Sequence, residues 1–448
     1  MGLEQAAGMR NFSRPAPPGL APWADTECMR EQRLTTPDRT EPDEATRGIL
    51  EAVAESVGMT LVASRQLTLE NTTRGFASGH ELELCSNAGA RETHIVYLET
   101  NPTTRERDGV LTFRDEESGE RIAVWLYPRD PELPALPAAV FPEAATTLLR
   151  RLGLDPSAVT LTVVAYRPGK RAVVRAEAPE FTVFLKVVRP AVAEDLHARY
   201  SLWRLEGVPV PRSLGWSADG FIAFAPLAGT EASQLIANLQ PEAFLDAIDD
   251  LTARIGAIPS TGAARKSLAE RLPWYLDRLL ALFPEHTDSI ARIGEAIARV
   301  REGAGAATPV TIHGDLHVGQ VFVDPQHPSR ITGVLDIDTA GLGDPADDAA
   351  AFYAHLVVTA QHHRSRGDDD LAEKCLALAQ SARERWSGSA DAEFPVRARA
   401  IGATHLLGHI LTAGDYGAEL LAAAEDLIGL AIPAESVPQD EKPLIHRL

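Results

Sequence analysis

The most informative part of the chain is a histidine–glycine–aspartate sequence that is followed, after a short turn, by a strand ending in aspartate. His313 lies two residues before Asp315, and Gln320 lies five residues after it; Asp336 follows Asp315 by twenty-one residues. Phosphoryl transfer needs a carboxylate near the acceptor hydroxyl and oxygen ligands that hold Mg²⁺ against the phosphates. We predict that Asp315 is the catalytic carboxylate and that Gln320 and Asp336 are the metal ligands.

A lysine far upstream is a candidate for contact with nucleotide phosphates. Lys186 follows the apolar run Val183–Leu185 on the third predicted strand of a small antiparallel sheet, 129 residues before Asp315. A lysine at this place reaches the α- and β-phosphates and is usually paired with a glutamate on the next helix. Glu194 is the nearest candidate for that pairing, although favourable electrostatics at a helix N-terminus would explain it as well.

The turn before this lysine strand is a second candidate phosphate contact. Residues 167–171 hold a single glycine, with Lys170 beside it, where a glycine-rich phosphate loop would hold three. Backbone amides and the Lys170 charge could still contact phosphate, but a plain basic hairpin would look the same. A loose G-x-G-x-x-A pattern at 341–346 is a weaker signal, because Pro345 lacks an amide donor and Asp344 would repel a pyrophosphate.

Two histidine pairs have a spacing that can hold zinc on a helix. His313 and His317 are four residues apart, as are His405 and His409. Neither pair contains the glutamate of His-Glu-x-x-His, and Gly314 disfavours a helix through the first pair. We therefore expect His313 to fix the catalytic loop through backbone hydrogen bonds rather than to bind metal.

Short strands and then helices must position these residues. The predicted strands are 67–69, 81–85, 94–98, 111–114, 121–127, 159–166, 172–177, 181–188, 213–216 and 221–224, and a turn at 115–119 could join two of them as a hairpin. Helices are predicted at about 49–57, 144–152, 192–205, 348–364, 371–385, 396–411 and 418–430, the first of them from its apolar periodicity. Another apolar face runs from Leu268 to Leu280, where Pro273 could start a new helix. The predicted domains are a flexible tail (1–44), a cap-like domain (45–137), a strand-rich lobe (138–230), a helical lobe (231–432) and a second tail (433–448).

The bulk composition excludes several classes of function. The 448 residues are 45% apolar, with a formal net charge of −20 and a pI near 5.1. This acidity argues against binding to nucleic acid or anionic lipid and is compatible with a cationic small molecule. Three widely spaced cysteines favour a reducing cytoplasm, and we find no apolar run long enough to span a membrane.

Taken together, these motifs resemble the aminoglycoside phosphotransferase-like kinase family over roughly residues 155–430. The most specific part is His313–His317 with Asp336, and then Gly343–Pro345 and Asp348. The resemblance implies that adenine docks on the backbone near Ala225–Leu227, with ATP (or GTP as the alternative) and Mg²⁺ as the nucleotide and metal. It also implies that Asp348 holds the catalytic loop in place.

The sequence differs from the pattern of this family in two respects. Gln320 stands where the family has asparagine, and its side-chain carbonyl reaches about 1.5 Å further, near one C–C bond length. This feature resembles the maltokinase branch, whose members also carry an N-terminal cap domain, to which 45–137 is similar. The glutamate that should pair with Lys186 is also unclear in this sequence.

The predicted fold class is therefore α+β, a two-lobed protein-kinase-like fold with a small N-terminal α/β cap domain. The expected activity is ATP-dependent phosphorylation of a hydroxyl on a small polar molecule: a sugar, an aminoglycoside or an amino alcohol. The alternative is a nucleotide-binding pseudokinase with a scaffold or regulatory role. A third reading, a Rossmann oxidoreductase, would require nicotinamide binding, which the motifs do not favour.

Overall fold

The computed structural model describes residues 42–71, 75–102, 109–114, 119–260, 262–411, 413 and 416–430. The strands are β1 (Met59–Asn71), β2 (Phe76–Ser86), β3 (Arg91–Thr100), β4 (Val110–Arg114), β5 (Arg121–Leu126), β6 (Thr160–Arg167), β7 (Arg171–Glu177), β8 (Thr182–Val188), β9 (Ser213–Ser217), β10 (Phe221–Phe224), β11 (Thr230–Glu231), β12 (Val310–Ile312), β13 (Val321–Asp324), β14 (His327–Val334) and β15 (Gly341–Gly343). The α-helices are α1 (Glu44–Ser56), α2 (Leu136–Val140), α3 (Pro142–Arg151), α4 (Pro190–Leu205), α5 (Pro241–Gly256), α6 (Leu272–Leu282), α7 (Thr287–Gly303), α8 (Pro345–Ser365), α9 (Asp369–Arg385), α10 (Phe394–Ile410) and α11 (Gly417–Leu427). Among these helices, none combines the length and apolar character that crossing a bilayer requires.

The described residues divide into two compact units. The first holds the residues up to His197 together with Ser213–Ala225, and the second holds Ala198–Arg212 and the residues from Pro226 onward. The first unit is rich in strands and the second is mostly helical, which confirms the predicted α+β class. Residues 1–41, 115–118 and 433–448, which cover most of the two predicted tails and of the predicted hairpin turn, lie outside the described part.

The N-terminal sheet of the first unit has five antiparallel strands in the order β1-β2-β3-β5-β4. Its apolar face is covered by α1, whose Leu50 and Val53 are buried together with Leu82, Leu84 and Val96 of the sheet. Side chains on one face recur every two residues in a strand and about every 3.6 residues in a helix. The apolar positions of α1 and of the sheet therefore lie on the two faces that pack together. The apolar periodicity therefore located this helix, and each predicted strand of the region overlaps one strand of the sheet.

The second sheet of the first unit has the order β6-β7-β8-β10-β9 and is also antiparallel. Its core joins Val174 and Leu185 to Leu136 and Leu149 of the two short helices. The proline-rich segment that the sequence suggested as a connector also contributes to this core, because Leu133 is fully buried in it. The boundary predicted at residue 137 stays a prediction.

The second unit surrounds helix α8, which is buried along nearly its whole length from Ala346 to Gln361. This helix packs against α9, α10 and α11. A helix that is buried on all sides carries small or apolar residues all round, and the alanines of α8 meet that requirement. Two small sheets, β11-β13-β14 and β12-β15, interrupt the helices and carry the predicted strand–loop–strand motif.

Candidate active site

The loop after β12 is shaped by a glycine that no other residue could replace without strain. Gly314 has a φ of +84°, and a Cβ at this position would lie 2.7 Å from the backbone oxygen of Thr339. Both the left-handed backbone and the close approach favour glycine. Gly314 therefore lets the chain turn tightly between His313 and Asp315.

Asp348, in the first turn of α8, anchors this loop. Its carboxylate accepts hydrogen bonds of 2.7 Å from the backbone N–H of His313 and 2.7 Å from that of Gly314. Burial raises the pKa of Asp348, while the His313 ring and the backbone N–H donors act in the opposite direction. The predicted role of Asp348 in holding the loop is confirmed.

His313 is a positioning residue with a fully buried ring. Its Nε2 lies 2.7 Å from the backbone oxygen of Leu335, and its own backbone oxygen accepts a 2.9 Å hydrogen bond from Thr339 Oγ1. These bonds tie the loop at Asp315 to the segment that carries Asp336. These hydrogen bonds agree with the predicted loop-fixing role of His313, and its place among the catalytic residues stays a prediction.

Asp315 is engaged by an arginine that the sequence analysis did not identify. Arg265 Nη2 lies 2.9 Å from Asp315 Oδ1, and Nη1 lies 3.3 Å from Oδ2, which is a bidentate pair. Burial alone would raise the pKa of Asp315, but Arg265, with His317 and His405, lowers it below its ordinary value. The Asp315 carboxylate is therefore ionised near neutral pH, as a proton acceptor must be.

The two predicted metal ligands lie on neighbouring backbone segments. Gln320 ends a short turn before β13, and its backbone oxygen accepts a 2.9 Å hydrogen bond from the N–H of Leu335, next to Asp336. Asp336 adopts a left-handed backbone with φ 61° and ψ 47°, which is uncommon for a residue other than glycine. Such conformations are often found where a side chain must point to a functional site.

The side-chain oxygen of Gln320 fits a cation. Gln320 is 5% exposed, and among the described residues no donor hydrogen-bonds its Oε1. A buried oxygen in this situation is normally satisfied by a donor, water or ion. Amide and carboxylate oxygens are the hard ligands that Mg²⁺ prefers. The donor chemistry of Gln320 and Asp336 therefore suits a magnesium ion, and their joint role as metal ligands stays a prediction.

A second arginine holds the segment after Asp336. Arg199 Nη1 donates hydrogen bonds of 3.0 Å to the backbone oxygen of Ile337 and 2.8 Å to that of Asp338. The sequence placed Arg199 only near the expected partner of Lys186. Within the second unit its observed role is to fix the backbone beside the candidate metal ligand.

The candidate nucleotide contacts belong mostly to the first unit. Lys186 is 6% exposed on β8, opposite Val173 on β7 and Ile222 on β10, whereas Glu194 is exposed on α4. Ala225 is the last residue of the first unit, so the boundary between the units falls in the predicted linker at Ala225–Leu227. The pairing of Lys186 with Glu194 and the docking of adenine at the linker stay predictions.

The turn before β7 has an internal partner of its own. The backbone N–H of Gly169 donates a 2.7 Å hydrogen bond to Asp130, which also accepts one of 2.8 Å from the Tyr166 hydroxyl. That amide is therefore already satisfied within the first unit. Lys170 is exposed beside it, and its predicted phosphate contact stays a prediction.

Comparison with known proteins bears on the part of the chain that holds most of these residues. Residues 169–386 match the phosphotransferase enzyme family. This matched part, just under half of the chain, is similar to that family. The match confirms the resemblance drawn from the motifs and the assignment of the protein as a phosphotransferase. The maltokinase-like features stay a prediction, and the search of curated proteins found no match.

Solved structures give more distant likenesses to this phosphotransferase. Spectinomycin phosphotransferase in complex with ADP and spectinomycin is 12% identical, covering 66% of this chain and 91% of its own, with a TM-score of 0.44. A macrolide 2'-phosphotransferase type I is 20% identical over 65% and 96%, with a TM-score of 0.40. An aminoglycoside phosphotransferase of Streptomyces rimosus is 20% identical over 58% and 98%, with a TM-score of 0.35. Likenesses this distant carry no information on the substrate.

The phosphotransferase domain holds a protonatable carboxyl beside the loop anchor. Asp347 is buried, and burial raises its pKa to about 7, with Asp344 and Asp348 adding to the effect and the Ser267 hydroxyl opposing it. The folded state thus favours the protonated carboxyl more than the unfolded state does. Its contribution to stability is full below a pH of about 4, the unfolded pKa of aspartate, and is lost as the pH rises through about 7.

We expect the Asp347→Asn variant to be more stable than the wild type at pH 8. Its stability should also depend less on pH than that of the wild type. The gain is at most about 4 kcal/mol, because one pKa unit corresponds to about 1.4 kcal/mol. Melting temperatures at pH 5 and pH 8 measure it, with the exposed Asp277→Asn as control for loss of a carboxyl. If the melting temperatures at pH 5 and pH 8 differ as much in Asp347→Asn as in the wild type, Asp347 does not have the raised pKa assigned to it.

Proposed function

We propose that this protein transfers the γ-phosphoryl group of ATP to a hydroxyl of a small polar molecule. The observation that carries the proposal is the anchored loop of the second unit. It presents the ionised carboxylate of Asp315 and, five residues later, the buried side-chain oxygen of Gln320, which has no donor among the described residues. The phosphotransferase family match over 169–386 supports the same chemistry.

Each residue of the site takes a defined part in this reaction. Asp315 accepts the proton of the acceptor hydroxyl while the oxygen of that hydroxyl forms a bond to the γ-phosphorus. At the same time the bond between the γ-phosphorus and the β,γ-bridging oxygen breaks. ADP leaves with the electrons of that bond. Gln320 and Asp336 would hold Mg²⁺, which would neutralise charge on the phosphates. His313 and Asp348 keep the loop in place.

The first unit would supply the nucleotide contacts. Lys186 carries the positive charge for the α- and β-phosphates, and Glu194 is the candidate that orients it. Lys170 adds a further charge beside the phosphates, and the backbone at Ala225 and Leu227 receives the adenine. The net charge of −20 favours an acceptor that is cationic, such as an aminoglycoside or an amino alcohol, over a neutral sugar.

The test is acceptor-dependent formation of ADP. The full chain is incubated with ATP or GTP and Mg²⁺, together with aminoglycosides, spectinomycin, macrolides, sugars and amino alcohols in separate reactions. We expect one class to raise ADP formation above the acceptor-free rate and to yield a phosphorylated product by mass spectrometry. Omission of Mg²⁺ should abolish both signals.

A second candidate function is a nucleotide-binding module without turnover. The bidentate pair between Arg265 and Asp315 favours it, because the arginine engages the carboxylate that would have to meet the acceptor. Saturable binding of ATP with no acceptor-dependent ADP formation across the whole panel would support this candidate. Turnover with any acceptor would exclude it.

A further inference from the structure

Three histidines from two helices of the second unit converge at one point. His355 lies in the middle of α8, and His405 and His409 lie one turn apart on α10. One ring nitrogen from each of the three lies within 4.8 Å of those of the other two. His355 and His405 are each 3% exposed, and His409 is partly buried. The sequence offered only the pair on α10, and the third member comes from the packing of two helices.

The ring of His355 meets those of His405 and His409 at steep angles instead of stacking on them. The ring of His355 is inclined by 83° to that of His409, with centroids 4.8 Å apart, and by 67° to that of His405, at 6.4 Å. Nitrogen lone pairs lie in the ring plane, so steeply inclined rings can direct them at a common point. His317 stacks on His355 at 4.2 Å with an interplanar angle of 18°, which holds that ring from one face.

The protonation state of the three rings also suits a metal. Burial lowers the pKa of His405 to about 3 and that of His409 to about 4. Burial likewise lowers the pKa of His355 well below its ordinary value. All three rings are thus neutral near pH 7, and the neutral imidazole is the form that coordinates a cation. Metal binding at neutral pH would then release few protons.

We propose that His355, His405 and His409 form a binding site for a borderline-soft divalent cation of the zinc class. Imidazole nitrogens suit Zn²⁺ and its neighbours in the transition series, whereas Mg²⁺ prefers oxygen. Two nitrogen ligands of tetrahedral zinc lie roughly 3.4 Å apart, given Zn–N distances of about 2.1 Å. The three nitrogens lie within 4.8 Å of one another, so the proposal requires the rings to turn towards the cation when it binds. Its ligands differ in kind from Gln320 and Asp336, and it borders the catalytic loop, because His317 stacks on His355.

The competing explanation is a set of neutral histidines that simply pack against one another. Buried imidazoles can satisfy their N–H groups by hydrogen bonds and fill space between helices without any ligand. Such a cluster would have no preference for a cation. The two explanations differ in stoichiometry, in ligand type and in the response to a conservative substitution.

The test uses the untagged full chain, stripped with a chelator and titrated with Co²⁺ in excess Mg²⁺. We expect one equivalent of Co²⁺ to bind with the visible absorption typical of four-coordinate cobalt, and Zn²⁺ to displace it. The melting temperature should rise with Zn²⁺, because a ligand of the folded state stabilises it. His405→Gln and His409→Gln should each weaken binding by more than about 100-fold, since even the loss of a residue behind a ligand weakens it by 10- to 100-fold. The exposed His327→Gln is the matched control and should bind as the wild type does.

Three outcomes would overturn the proposal. The first is the absence of saturable Co²⁺ and Zn²⁺ binding by the wild-type chain. The second is binding that is unchanged in both His405→Gln and His409→Gln. X-ray absorption of the wild-type zinc protein counts the coordinated imidazoles, so it decides the question even where a variant does not fold. Three imidazoles would support the site, and the third overturning outcome is a count of two or fewer.

Discussion

Replacing Asp315 with asparagine is expected to lower kcat for phosphoryl transfer by about 10²- to 10⁴-fold, the usual effect of losing a general base. Asparagine keeps the shape of aspartate, but it cannot accept a proton from the acceptor hydroxyl. It also removes the negative charge that pairs with Arg265. The measurement is steady-state ADP formation with saturating ATP and the acceptor found in the panel. The affinity for ATP, measured separately by calorimetry, should change much less than kcat.

A matched control is available on the neighbouring strand. Asp324 on β13 is partly buried and forms an ion pair with the exposed Arg330, at 3.7 Å, and it has no assigned part in the reaction. Asp324→Asn should therefore keep the wild-type kcat. If Asp315→Asn and Asp324→Asn turn over equally well, Asp315 is not the proton acceptor, and the proposed chemistry of the loop fails.

Local patterns predicted much of the fold because they are set by neighbouring residues. The strand from Thr182 to Val188 follows from a β-branched run, and the helix from Pro190 to Leu205 was predicted from about residue 192 to its last residue. Strand β1 was predicted only at 67–69 but begins at Met59. Polar residues such as Thr60, Ser64 and Gln66 hide its alternation, and pairing with β2 extends it.

The candidate site was predicted as far as its residues lie close together in the chain. His313, Asp315, Gln320 and Asp336 fall within one short stretch, and the hydrogen bond between Gln320 and Leu335 confirms that folding brings its two halves together. Arg265 was missed because it lies fifty residues before Asp315 and meets it only through tertiary structure. His355 was missed for the same reason, since it approaches His405 across two packed helices. No spacing rule in the sequence reports such contacts.

The second large expected effect is a loss of stability when Asp348, which anchors the catalytic loop, is replaced. Asp348→Ala would leave the buried N–H groups of His313 and Gly314 without their acceptor, and each unsatisfied group costs about 1–3 kcal/mol. We expect the free energy of unfolding of the second unit to fall by about 2–5 kcal/mol, partly offset because a buried carboxyl is removed. This corresponds to a melting temperature lower by roughly 5–15 °C. Asp348→Asn, which keeps one acceptor oxygen, should fall between the wild type and Asp348→Ala.

The adjacent residue Asp347 makes this test specific. At pH 8, replacement by asparagine is expected to raise the melting temperature at Asp347 and to lower it at Asp348. Asparagine at 347 is expected to stabilise the protein at pH 8, because it removes a buried carboxyl with a raised pKa. Asparagine at 348 is expected to destabilise it, because of these two residues only Asp348 accepts hydrogen bonds from the catalytic loop. Differential scanning fluorimetry at pH 8 compares the two variants directly. The loss of order in the loop should also lower kcat in Asp348→Asn at temperatures where the protein is still folded. A melting temperature of Asp348→Ala equal to that of the wild type would show that the loop at His313 holds its shape without this carboxylate.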